Sequence, residues 1–427
     1  MRARDPPIQA ECRPNVAIQS LDTLLEATSV AGRRVFVRAD LNVPLADGQI
    51  SDDSRIRASL PTLQRLIAAG ARIVLASHLG RPKGQRNPAL SLAPVALALE
   101  KALEKALQEA PNDTSAGPHH SKVHFASDCV GDDVTKAVDE LADGEILLLE
   151  NLRFHAAETE NDPDFAEALA GLADVYVNDA FGTAHRAHAS TAGMVPFVSQ
   201  VAAGLLLQRE LDALKSALDP ERPFVCFLGG AKVSDKLGVL EALIERADTI
   251  GVGGAMAYTF LAAQGEPVGR SLVEMDRLED ANRILARARS RGCELMLPTD
   301  HVVATRVEEG APAQIVTKIP DDSMGVDIGP ETAERYAAAA RQARTILWNG
   351  PMGVFEIDAF SHGTERVAHA VAESDGRSIV GGGDSLAAVH KVGVGAQIDH
   401  LSTGGGASLA FVQGLTLPGV AALERPQ

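Results

Sequence analysis

The segment PFVCFLGGAKVSDK (residues 223–236) contains, in order, the parts from which the fold of this chain is built. An apolar run of strand length comes first, a glycine turn carrying Lys232 follows, and an amphipathic stretch (residues 236–247) continues from it. The pattern predicts a buried strand, a tight loop and a helix. The loop is similar to a phosphate loop in its logic, because backbone N–H groups at a helix start attract anions. It lacks the GxxxxGK(S/T) spacing, so it does not indicate a P-loop NTPase.

The same alternation of apolar runs and amphipathic stretches continues along the chain. The predicted strands are RRVFVRAD, ARIVLASH, EILLLEN and DVYVND in the first half, and PFVCFLGG, DTIGVGG, CELMLP, TILWNG and RSIVGGG in the second. The predicted helices between them include residues 54–69, 205–218, 236–247 and 332–343. Strands that alternate with helices imply an α/β fold with parallel sheets covered on both faces. Ligands in such folds bind beyond the carboxyl ends of the strands.

Length and charge restrict the possible functions. A chain of 427 residues is too long for one hydrophobic core, so two domains are expected. The net charge of −17 argues against a nucleic-acid or anionic-membrane surface and requires any anion site to be a local concentration of cations. The four cysteines lie far apart without CxxC spacing, which favours reduced thiols in a cytoplasmic protein over a disulfide framework or a zinc site. No run of about 18 apolar residues indicates a membrane span.

Two polar segments are expected to lie outside the domain cores. Residues 1–15 (MRARDPPIQAECRPN) lack the apolar region of a secretory signal and are predicted to be a frayed extension. Residues 108–122 (QEAPNDTSAGPHHSK) are predicted to be a surface loop, in which the adjacent His119 and His120 have poor geometry for a metal. The domain boundary is expected near residues 196–204, before a connecting helix at 205–218.

Polar and cationic residues follow the predicted strands of the first half. In RADLNVP, Asp40 and Asn42 lie just past a strand and can accept hydrogen bonds from substrate hydroxyls, although this string alone favours a simple turn. In DDSRIRASLP, Asp53 or Ser54 can cap a helix whose first turn holds Arg55 and Arg57. Arginine there opposes the helix dipole, which hints at function, while a solvated arginine remains the alternative.

Three further strands of the first half lead into loops with arginine or histidine. HLGRP (residues 78–82) carries His78 and Arg81, ENLRFH carries Arg153, and NDAFGTAHRAH carries His185, Arg186 and His188. One such loop could arise by chance, but a chain of net negative charge has little other reason to concentrate cations there. We interpret these loops as a basic pocket for the anionic groups of a small substrate.

Glycine-rich loops dominate the second half. In GGAKVSDK (residues 229–236), Lys232 and Lys236 are four residues apart and can share one side of the loop and helix. GVGG (residues 251–254) weakly suggests a dinucleotide loop, but the third glycine of GxGxxG is missing, so a close-packed turn is favoured.

Two triple-glycine strings occur where strands are predicted to lead into helices. GGGDS (residues 381–385) contains Asp384, which can face a Mg²⁺ held by nucleotide phosphates or can simply cap a helix. STGGGAS (residues 402–408) is the second string. Three consecutive glycines cost chain entropy, so anion binding is the favoured interpretation of both. WNGPMGVFE (residues 348–356) adds Asn349 and Glu356 as polar residues in an otherwise apolar run.

Together these motifs resemble the phosphoglycerate kinase family. The matching strings are RADLNVP, DDSRIRASLP, SHLGRP, ENLRF, NDAFGTAHRAH, GGAKVSDK, WNGPMGVFE, GGGDS and STGGGAS. They occur in the family's order over about residues 33–420. The departures are a longer N-terminus and a long loop at 108–122, and neither touches a motif.

The resemblance implies the residues of each site. Those expected to hold phosphoglycerate are Asp40, Leu41, Asn42, Arg55, His78, Leu79, Gly80, Arg81, Arg153, His185 and Arg186. Those expected to hold nucleotide are Lys232, Lys236, Asn349, Glu356, Gly382, Gly383, Asp384 and Ser385, with Glu356 on the ribose and Asp384 facing Mg²⁺. Those expected to act on the transferred phosphoryl group are Arg55, Lys232, Gly383 and Gly405, the last within the backbone donors of residues 404–406.

The resemblance also implies architecture and partners. It implies two doubly wound, Rossmann-like α/β domains with parallel sheets, bilobal with a hinge. Residues 1–197 would bind phosphoglycerate and 198–406 nucleotide, with 407–427 packing back on the first domain. The implied reaction is the glycolytic transfer of a phosphoryl group from 1,3-bisphosphoglycerate to ADP, giving 3-phosphoglycerate and ATP with Mg²⁺. A cytoplasmic monomer without nucleic-acid or membrane partners is expected.

Two other classes of protein are weighed against this one. A nicotinamide-dependent dehydrogenase predicts GxGxxG after the first strand of one lobe, with an acidic residue about 20 positions later, and no such loop occurs. A non-enzymatic two-lobed binding protein would explain the basic pocket but not a second, glycine-lined anion site.

Overall fold

A computed structural model describes residues 18–46, 48–109 and 122–424 of the chain. It divides into two compact units, Met1–Leu211 with Thr416–Gln427 (unit 1) and Asp212–Leu415 (unit 2). The expected N-terminal extension and residues 110–121 of the expected surface loop lie outside the described residues.

Unit 1 contains a six-stranded parallel sheet and a short antiparallel hairpin. Its strands are Arg34–Ala39 (β1), Leu45–Ala46 (β2), Gln49–Ile50 (β3), Arg72–Ala76 (β4), Val123–Phe125 (β5), Ile146–Leu148 (β6), Val175–Asp179 (β7) and Gln200–Ala203 (β8). The sheet order is β5-β6-β4-β1-β7-β8, and β2 pairs with β3 in the hairpin. Every residue of β7 and all but the first of β1 are buried, as expected for parallel strands covered on both faces.

Helices surround this sheet and supply its core. They are Leu21–Ala27 (α1), Ser54–Ala68 (α2), Ala93–Glu109 (α3), Asp132–Asp139 (α4), Ala156–Glu160 (α5), Pro163–Ala170 (α6) and Leu205–Leu218 (α7). Helix α2 shows how the sequence directs this packing. Its buried Ile56, Leu63 and Ile67 recur at helical spacing and join one cluster with β1 and β4. Arg55, in the first turn of α2, contacts Asp40, the residue that directly follows β1.

Unit 2 contains a second six-stranded parallel sheet and a separate three-stranded antiparallel sheet. Its strands are Phe224–Leu228 (β9), Thr249–Val252 (β10), Glu294–Met296 (β11), His301–Ala304 (β12), Gln314–Val316 (β13), Met324–Ile328 (β14), Thr345–Asn349 (β15), Arg377–Gly381 (β16) and His400–Ser402 (β17). The parallel order is β11-β10-β9-β15-β16-β17, and the antiparallel order is β13-β12-β14. The central strands β9 and β15 are buried along their whole length.

The helices of unit 2 follow its strands in the same alternating manner. They are Leu237–Ile244 (α8), Met256–Ala263 (α9), Leu278–Arg291 (α10), Pro330–Gln342 (α11), His362–Ala372 (α12), Gly383–Val392 (α13) and Gly406–Val412 (α14). Pro418–Ala421 (α15) returns to unit 1, where Asn178 Nδ2 donates to the Gly419 carbonyl at 3.1 Å.

The predicted α/β class and the two parallel sheets are confirmed. Each of the nine predicted runs contains a strand. The sequence analysis missed the antiparallel sheet β12–β14, the hairpin β2–β3 and three short edge strands of the parallel sheets. These elements are two to five residues long, too short for periodicity to separate them from loops.

The compact units end later along the chain than the predicted domains. The sequence suggested boundaries at residues 197 and 406, whereas the units change after Leu211 and Leu415. Helix α7, predicted at residues 205–218, begins in unit 1 and continues into unit 2. Across the described part of the chain, no helix has both the length and the apolar content needed to cross a membrane.

Candidate active site

The cationic loops of unit 1 leave one edge of its sheet. Asp40, His78, Arg153 and His185 lie beyond the carboxyl ends of β1, β4, β6 and β7, respectively. These four strands are neighbours in the order β6-β4-β1-β7. Parallel strands end at a common edge, so the topology gathers loops that are far apart in sequence.

Asp40 is the acidic centre of this group. Its side chain is 9% exposed, and its Oδ2 accepts a hydrogen bond from Nη1 of Arg55 on α2. The Nδ1 atom of His78 lies 3.9 Å from Oδ1 of Asp40. Burial opposes ionisation of Asp40, but the charge of Arg55, helped by Arg38, outweighs burial and holds the pKa of this carboxyl below its usual value. Burial moves the pKa of His78 well below its usual value, so His78 is neutral at pH 7.

Asn42, Gly80 and Arg153 form a second connected group. The amide of Gly80 donates to Asn42 Oδ1 at 2.8 Å, and Arg153 Nη1 donates to the Gly80 carbonyl at 2.8 Å. Burial, followed by the charges of Arg38 and Arg186, lowers the pKa of Arg153 to about 10, so the guanidinium stays charged at pH 7. Its Nε is buried and has no hydrogen-bond partner within the described ranges. A buried donor without a partner is costly, and an anionic ligand oxygen would satisfy it.

The loop after β7 brings His185, Arg186 and His188 to the same edge. Arg186 Nε donates to His185 Nε2 at 3.1 Å, which requires that nitrogen to be unprotonated. Burial and the charge of Arg186 lower the pKa of His185. Burial and the charge of Arg38 lower the pKa of His188 to about 4. The positive charge of this edge therefore comes from its arginines, while the histidines are neutral hydrogen-bonding groups.

Arg38 belongs to this group and was missed by the sequence analysis. It lies in β1, is fully buried, and its Nη2 is 3.4 Å from His78 Nδ1. The available signal was an arginine inside an otherwise apolar strand. Such a charge needs specific partners to be buried, which marks it as more than a core residue.

Three other predicted residues of unit 1 differ in their surroundings. Arg81 is exposed and makes no hydrogen bond or ion pair with the residues that the structure describes. The side chains of Leu41 and Leu79 are buried in the core. Their amides already donate to Ser77 Oγ at 2.8 Å and Asn151 Oδ1 at 3.2 Å.

The glycine loops of unit 2 lie against one another at the carboxyl edge of its parallel sheet. The Gly229 amide donates to the Asn349 carbonyl at 3.0 Å, and the Gly254 amide donates to the Met352 carbonyl at 2.7 Å. Gly350 has a φ of +100°, and a Cβ atom there would lie 2.1 Å from the Gly229 carbonyl oxygen. Only glycine permits this approach. The contacts confirm the close-packed interpretation of GVGG.

Lys236 and Asn349 connect these loops to β16. Lys236 Nζ donates to Asn349 Oδ1, and Asn349 Nδ2 donates to the Gly381 carbonyl at 2.7 Å. Burial lowers the pKa of Lys236 to about 8, against the opposing influence of Asp235 and Asp384. The Lys236 ammonium is therefore held at the end of β15 and β16, next to the start of α13.

Three of the remaining predicted residues of unit 2 have accessible side chains. The side chains of Lys232, Glu356 and Asp384 are exposed, and none of them makes a hydrogen bond or ion pair within the part of the chain that the structure describes. Ser385 is buried, and its Oγ accepts a hydrogen bond from the Gly350 amide at 2.6 Å. A Cβ atom at Gly383 or Gly405 would meet nothing within 4 Å, so the backbone at the starts of α13 and α14 is open to a ligand.

Glu274 is a further residue that the sequence did not reveal. It accepts hydrogen bonds from the Ser234 amide at 3.0 Å and from Ser234 Oγ at 2.6 Å, and so anchors the loop that carries Lys232. The two residues are 40 positions apart, and nothing in the pattern around Glu274 pairs it with that loop.

Two parallel α/β units, one with arginine loops and one with glycine loops at the carboxyl ends of its strands, define a two-domain phosphotransferase. The comparisons with known proteins then identify the family. The family model described as phosphoglycerate kinase matches residues 25–415. The chain therefore belongs to the phosphoglycerate kinase family, and it is a phosphotransferase that exchanges a phosphoryl group between 1,3-bisphosphoglycerate and ADP.

Individual relatives match nearly the whole chain. It is 54% identical over 402 residues to the phosphoglycerate kinase of Moorella thermoacetica, covering 93% of this chain and 98% of the relative. It is 54% identical over 406 residues to that of Anaeromyxobacter dehalogenans strain 2CP-C, covering 94% and 98%. Among solved structures, phosphoglycerate kinase from Coxiella burnetii is similar with a TM-score of 0.82 and 40% identity, covering 95% of this chain and 99% of that chain. The enzyme from Pyrococcus horikoshii OT3 gives 0.79 and 34%, covering 93% and 98%.

Proposed function

We propose that unit 1 binds the phosphoglycerate substrate and unit 2 binds the nucleotide. The observation that carries this assignment is the group of buried or half-buried cations in unit 1, in which Arg153 retains an unpaired Nε. An anionic substrate would supply the missing acceptor. Arginine forks suit phosphate and carboxylate because they can bind two oxygens at once.

Within unit 1, Asp40 and Asn42 would select substrate hydroxyls, while the cations would bind its phosphate and carboxylate. Arg153 remains charged at pH 7, Arg186 supplies a second guanidinium, and His78 and His185 contribute neutral ring nitrogens. Arg81 is exposed and free to close over the ligand. Leu41, Leu79 and Gly80 would contribute only through their backbones.

Within unit 2, the nucleotide phosphates would lie over the glycine loops. Lys236 and Asn349 would form the base of this site. The loop formed by residues 382–385 would bind phosphate through its backbone N–H groups, and Glu356 would bind the ribose. The first turn of α13 adds the favourable end of a helix dipole.

The transfer needs no general base. In the direction of ATP consumption the acceptor is a carboxylate, which carries no proton to remove. A carboxylate oxygen of 3-phosphoglycerate forms a bond to the γ-phosphorus of ATP. The bond between that phosphorus and the oxygen that bridges it to the β-phosphate breaks, and ADP leaves with the electron pair. The equatorial oxygens of the phosphoryl group carry negative charge during the transfer. This charge would be neutralised by Arg55, Lys232 and the backbone N–H groups at Gly383 and Gly405.

Mg²⁺ is the metal that this chemistry implies, and the residues fit it. Asp384 presents an exposed carboxylate in the first turn of α13 without a competing partner among the described residues. Mg²⁺ is commonly bound by one or two carboxylates together with nucleotide phosphates. When bound, it would neutralise phosphate charge, and Asp384 would be its protein ligand.

Because each proposed site lies within one unit, the reaction requires the two units to approach. We therefore propose hinge closure, with Arg55 and Lys232 as the cations that separate the anionic phosphates. Closure would also exclude water, which otherwise hydrolyses the acyl phosphate. Small-angle scattering should give the largest fall in radius of gyration with both substrates bound. The hinge would be ruled out if the radius of gyration were the same in all four samples (apo, each ligand alone, and both) and the apo form were not already compact.

A cytoplasmic monomer acting only on small molecules completes the proposal. Cys129, Cys226 and Cys293 are buried free thiols, which suits a reducing compartment. A coupled assay with ATP and 3-phosphoglycerate tests the function directly. ADP formation that depends on 3-phosphoglycerate supports the proposal, whereas oxidation or reduction of a nicotinamide by the chain alone would support the dehydrogenase alternative.

A further inference from the structure

Arg38 occupies an unusual position in unit 1, because its guanidinium is fully buried beneath the cationic loops. Its three nitrogens have different partners. Nε donates to Ser190 Oγ at 2.8 Å, Nη1 donates to the Ala39 carbonyl, and Nη2 lies 3.4 Å from His78 Nδ1. Arg38 therefore connects the substrate-side histidine to Ser190, which lies in a π-helical turn (Ala189–Gly193).

Ser190 is itself held from three directions. Its hydroxyl donates to Glu158 Oε1 at 2.6 Å, its amide donates to Glu158 Oε2 at 3.0 Å, and Tyr176 Oη donates to its carbonyl at 2.9 Å. The hydroxyl proton is directed to the carboxylate, so a lone pair of Oγ faces Arg38 Nε. Arg38, Glu158, Tyr176 and Ser190 are all fully buried.

Glu158 is the central residue of α5, and both of its carboxylate oxygens accept hydrogen bonds from Ser190. The nearby His188, with Nδ1 3.7 Å from Glu158 Oε1, is neutral at pH 7 because burial lowers its pKa. Glu158 thus has no charged histidine as a partner, and it supports the charged state of Arg153 electrostatically.

We propose that Glu158 and Ser190 are positioning residues that fix Arg38, and through it His78, in the geometry that binds phosphoglycerate. This inference rests on the proposed assignment of the substrate to unit 1. Neither residue needs to touch the substrate. A buried hydrogen-bonded carboxylate is an effective orienting group because it is satisfied in only one arrangement of its donors.

A purely electrostatic role and a positioning role of Glu158 predict opposite changes in the KM for 3-phosphoglycerate in Glu158→Gln. If Glu158 acted only as a negative charge, its removal would strengthen the attraction of an anionic substrate and lower the KM for 3-phosphoglycerate. If it positions Arg38, the KM rises. A glutamine amide must place its NH₂ against either the Ser190 amide or the Ser190 hydroxyl, and either placement disrupts the path to Arg38.

The test measures the KM for 3-phosphoglycerate and for ATP in Glu158→Gln, Ser190→Ala and the double variant. Glu160→Gln is the matched control, since it makes the same charge change at an exposed site of the same helix. We expect the KM for 3-phosphoglycerate to rise about tenfold in each single variant, less than the roughly 100-fold that a 1 Å misplacement can cause. The KM for ATP stays unchanged. The KM of the double variant for 3-phosphoglycerate is no higher than that of the more impaired single variant, because both residues act through Arg38.

Ser190→Ala keeps the test decisive if Glu158→Gln does not fold, since it removes one hydroxyl and leaves the backbone contacts in place. An unchanged or lower KM for 3-phosphoglycerate in folded Ser190→Ala overturns the inference, as does an equal change in both KM values. Arg153→Ala distinguishes a failure of the positioning role from a failure of the substrate assignment of unit 1. If it raises the KM for 3-phosphoglycerate while Ser190→Ala does not, only the positioning role fails; if neither does, the substrate assignment of unit 1 fails as well.

Discussion

Nη1 of Arg55 donates to Oδ2 of Asp40, joining the first turn of α2 to the loop after β1. The Arg55 side chain is 30% exposed, whereas that of Asp40 is 9% exposed. The carboxylate of Asp40 is thus held in place by the fold, while the guanidinium of Arg55 reaches solvent and has further N–H groups that can bind a ligand. The arrangement holds Arg55 beside the loop after β1, where the substrate is proposed to bind, and explains how an arginine can oppose the helix dipole at that position.

Arg55→Ala should lower kcat by about 1,000-fold, the scale of losing an arginine that stabilises a transferring phosphoryl group. The Kd for ATP should barely change, because the residues proposed to bind nucleotide belong to unit 2. Arg55→Lys should recover little activity, since one ammonium does not reproduce the fork. Steady-state kinetics and calorimetric titration measure both quantities.

Arg57 supplies the control for that experiment. It lies in the same first turn, is exposed and pairs with Asp53 instead of Asp40. Arg57→Ala should retain nearly full turnover. Near-normal kcat in Arg55→Ala would remove Arg55 from the chemistry.

Asp384→Asn should raise the Mg²⁺ concentration needed for half-maximal activity and weaken binding of Mg–ATP, while 3-phosphoglycerate binding survives. The reason is that the proposed ligand would lose its negative charge, while Mg²⁺ is a hard cation that prefers carboxylate oxygen. Asp375→Asn, at another exposed carboxylate of unit 2, is the control. An unchanged Mg²⁺ dependence would leave Asp384 as an ordinary residue of a helix start.

ATP affinity should fall as pH rises through about 8. Burial lowers the pKa of Lys236 to about 8, so the ammonium that would bind phosphate is charged below that pH and lost above it. A loss of about tenfold is expected, the weight of one charge-assisted hydrogen bond of about 1.5 kcal/mol. Lys236→Arg should remove this dependence, because a guanidinium stays charged. The same decline in both proteins would exclude Lys236 as its source.

Asp179→Asn should stabilise the protein at neutral pH. Asp179 Oδ1 accepts the amides of Leu206 and Leu207, and burial raises its pKa to about 6. Between the ordinary value of 3.8 and about 6 the folded protein binds more protons than the unfolded chain, so wild-type stability falls as pH rises through that window. Asparagine keeps the acceptor without the charge, and its advantage should approach about 3 kcal/mol above pH 6 and vanish near pH 4.

Calorimetry across that pH range measures the effect, with Asp174→Asn as a control of opposite sign. The hydrogen bond from Arg34 lowers the pKa of Asp174, so its contribution is present at neutral pH and lost in acid. Its replacement should destabilise at neutral pH by less than about 1 kcal/mol, since the pair is partly exposed. A stability difference between Asp179→Asn and wild type that does not depend on pH would contradict the assignment for Asp179.

The sequence predicted the architecture well because parallel strands buried on both faces are continuous apolar runs. Strand β9 is such a run, β15 is apolar between Thr345 and Asn349, and β1 is apolar apart from Arg34 and Arg38. The antiparallel strands β12–β14 carry no comparable signal, because short strands in a small sheet mix polar and apolar residues.

Candidate site residues can be proposed from sequence where a loop has a distinctive composition of its own, as in the triple glycines around Asp384. Connections between distant segments cannot be proposed in this way. Glu158 is one of two glutamates in α5, and only the fold shows that it contacts Ser190, which lies 32 positions later in the chain. The pairing of Lys236 with Asn349 likewise depends on β9 and β15 being neighbours, which local pattern does not specify.

The two proposed sites divide the ligands between the units, with phosphoglycerate on unit 1 and nucleotide on unit 2. Calorimetric titration of 3-phosphoglycerate and of Mg–ATP into wild type, Arg153→Ala and Lys236→Ala tests this division most directly. Arg153→Ala should lose affinity for 3-phosphoglycerate and keep its affinity for Mg–ATP, and Lys236→Ala should show the reverse. If either variant weakens the ligand assigned to the other unit as much as its own, the division of the two sites is contradicted.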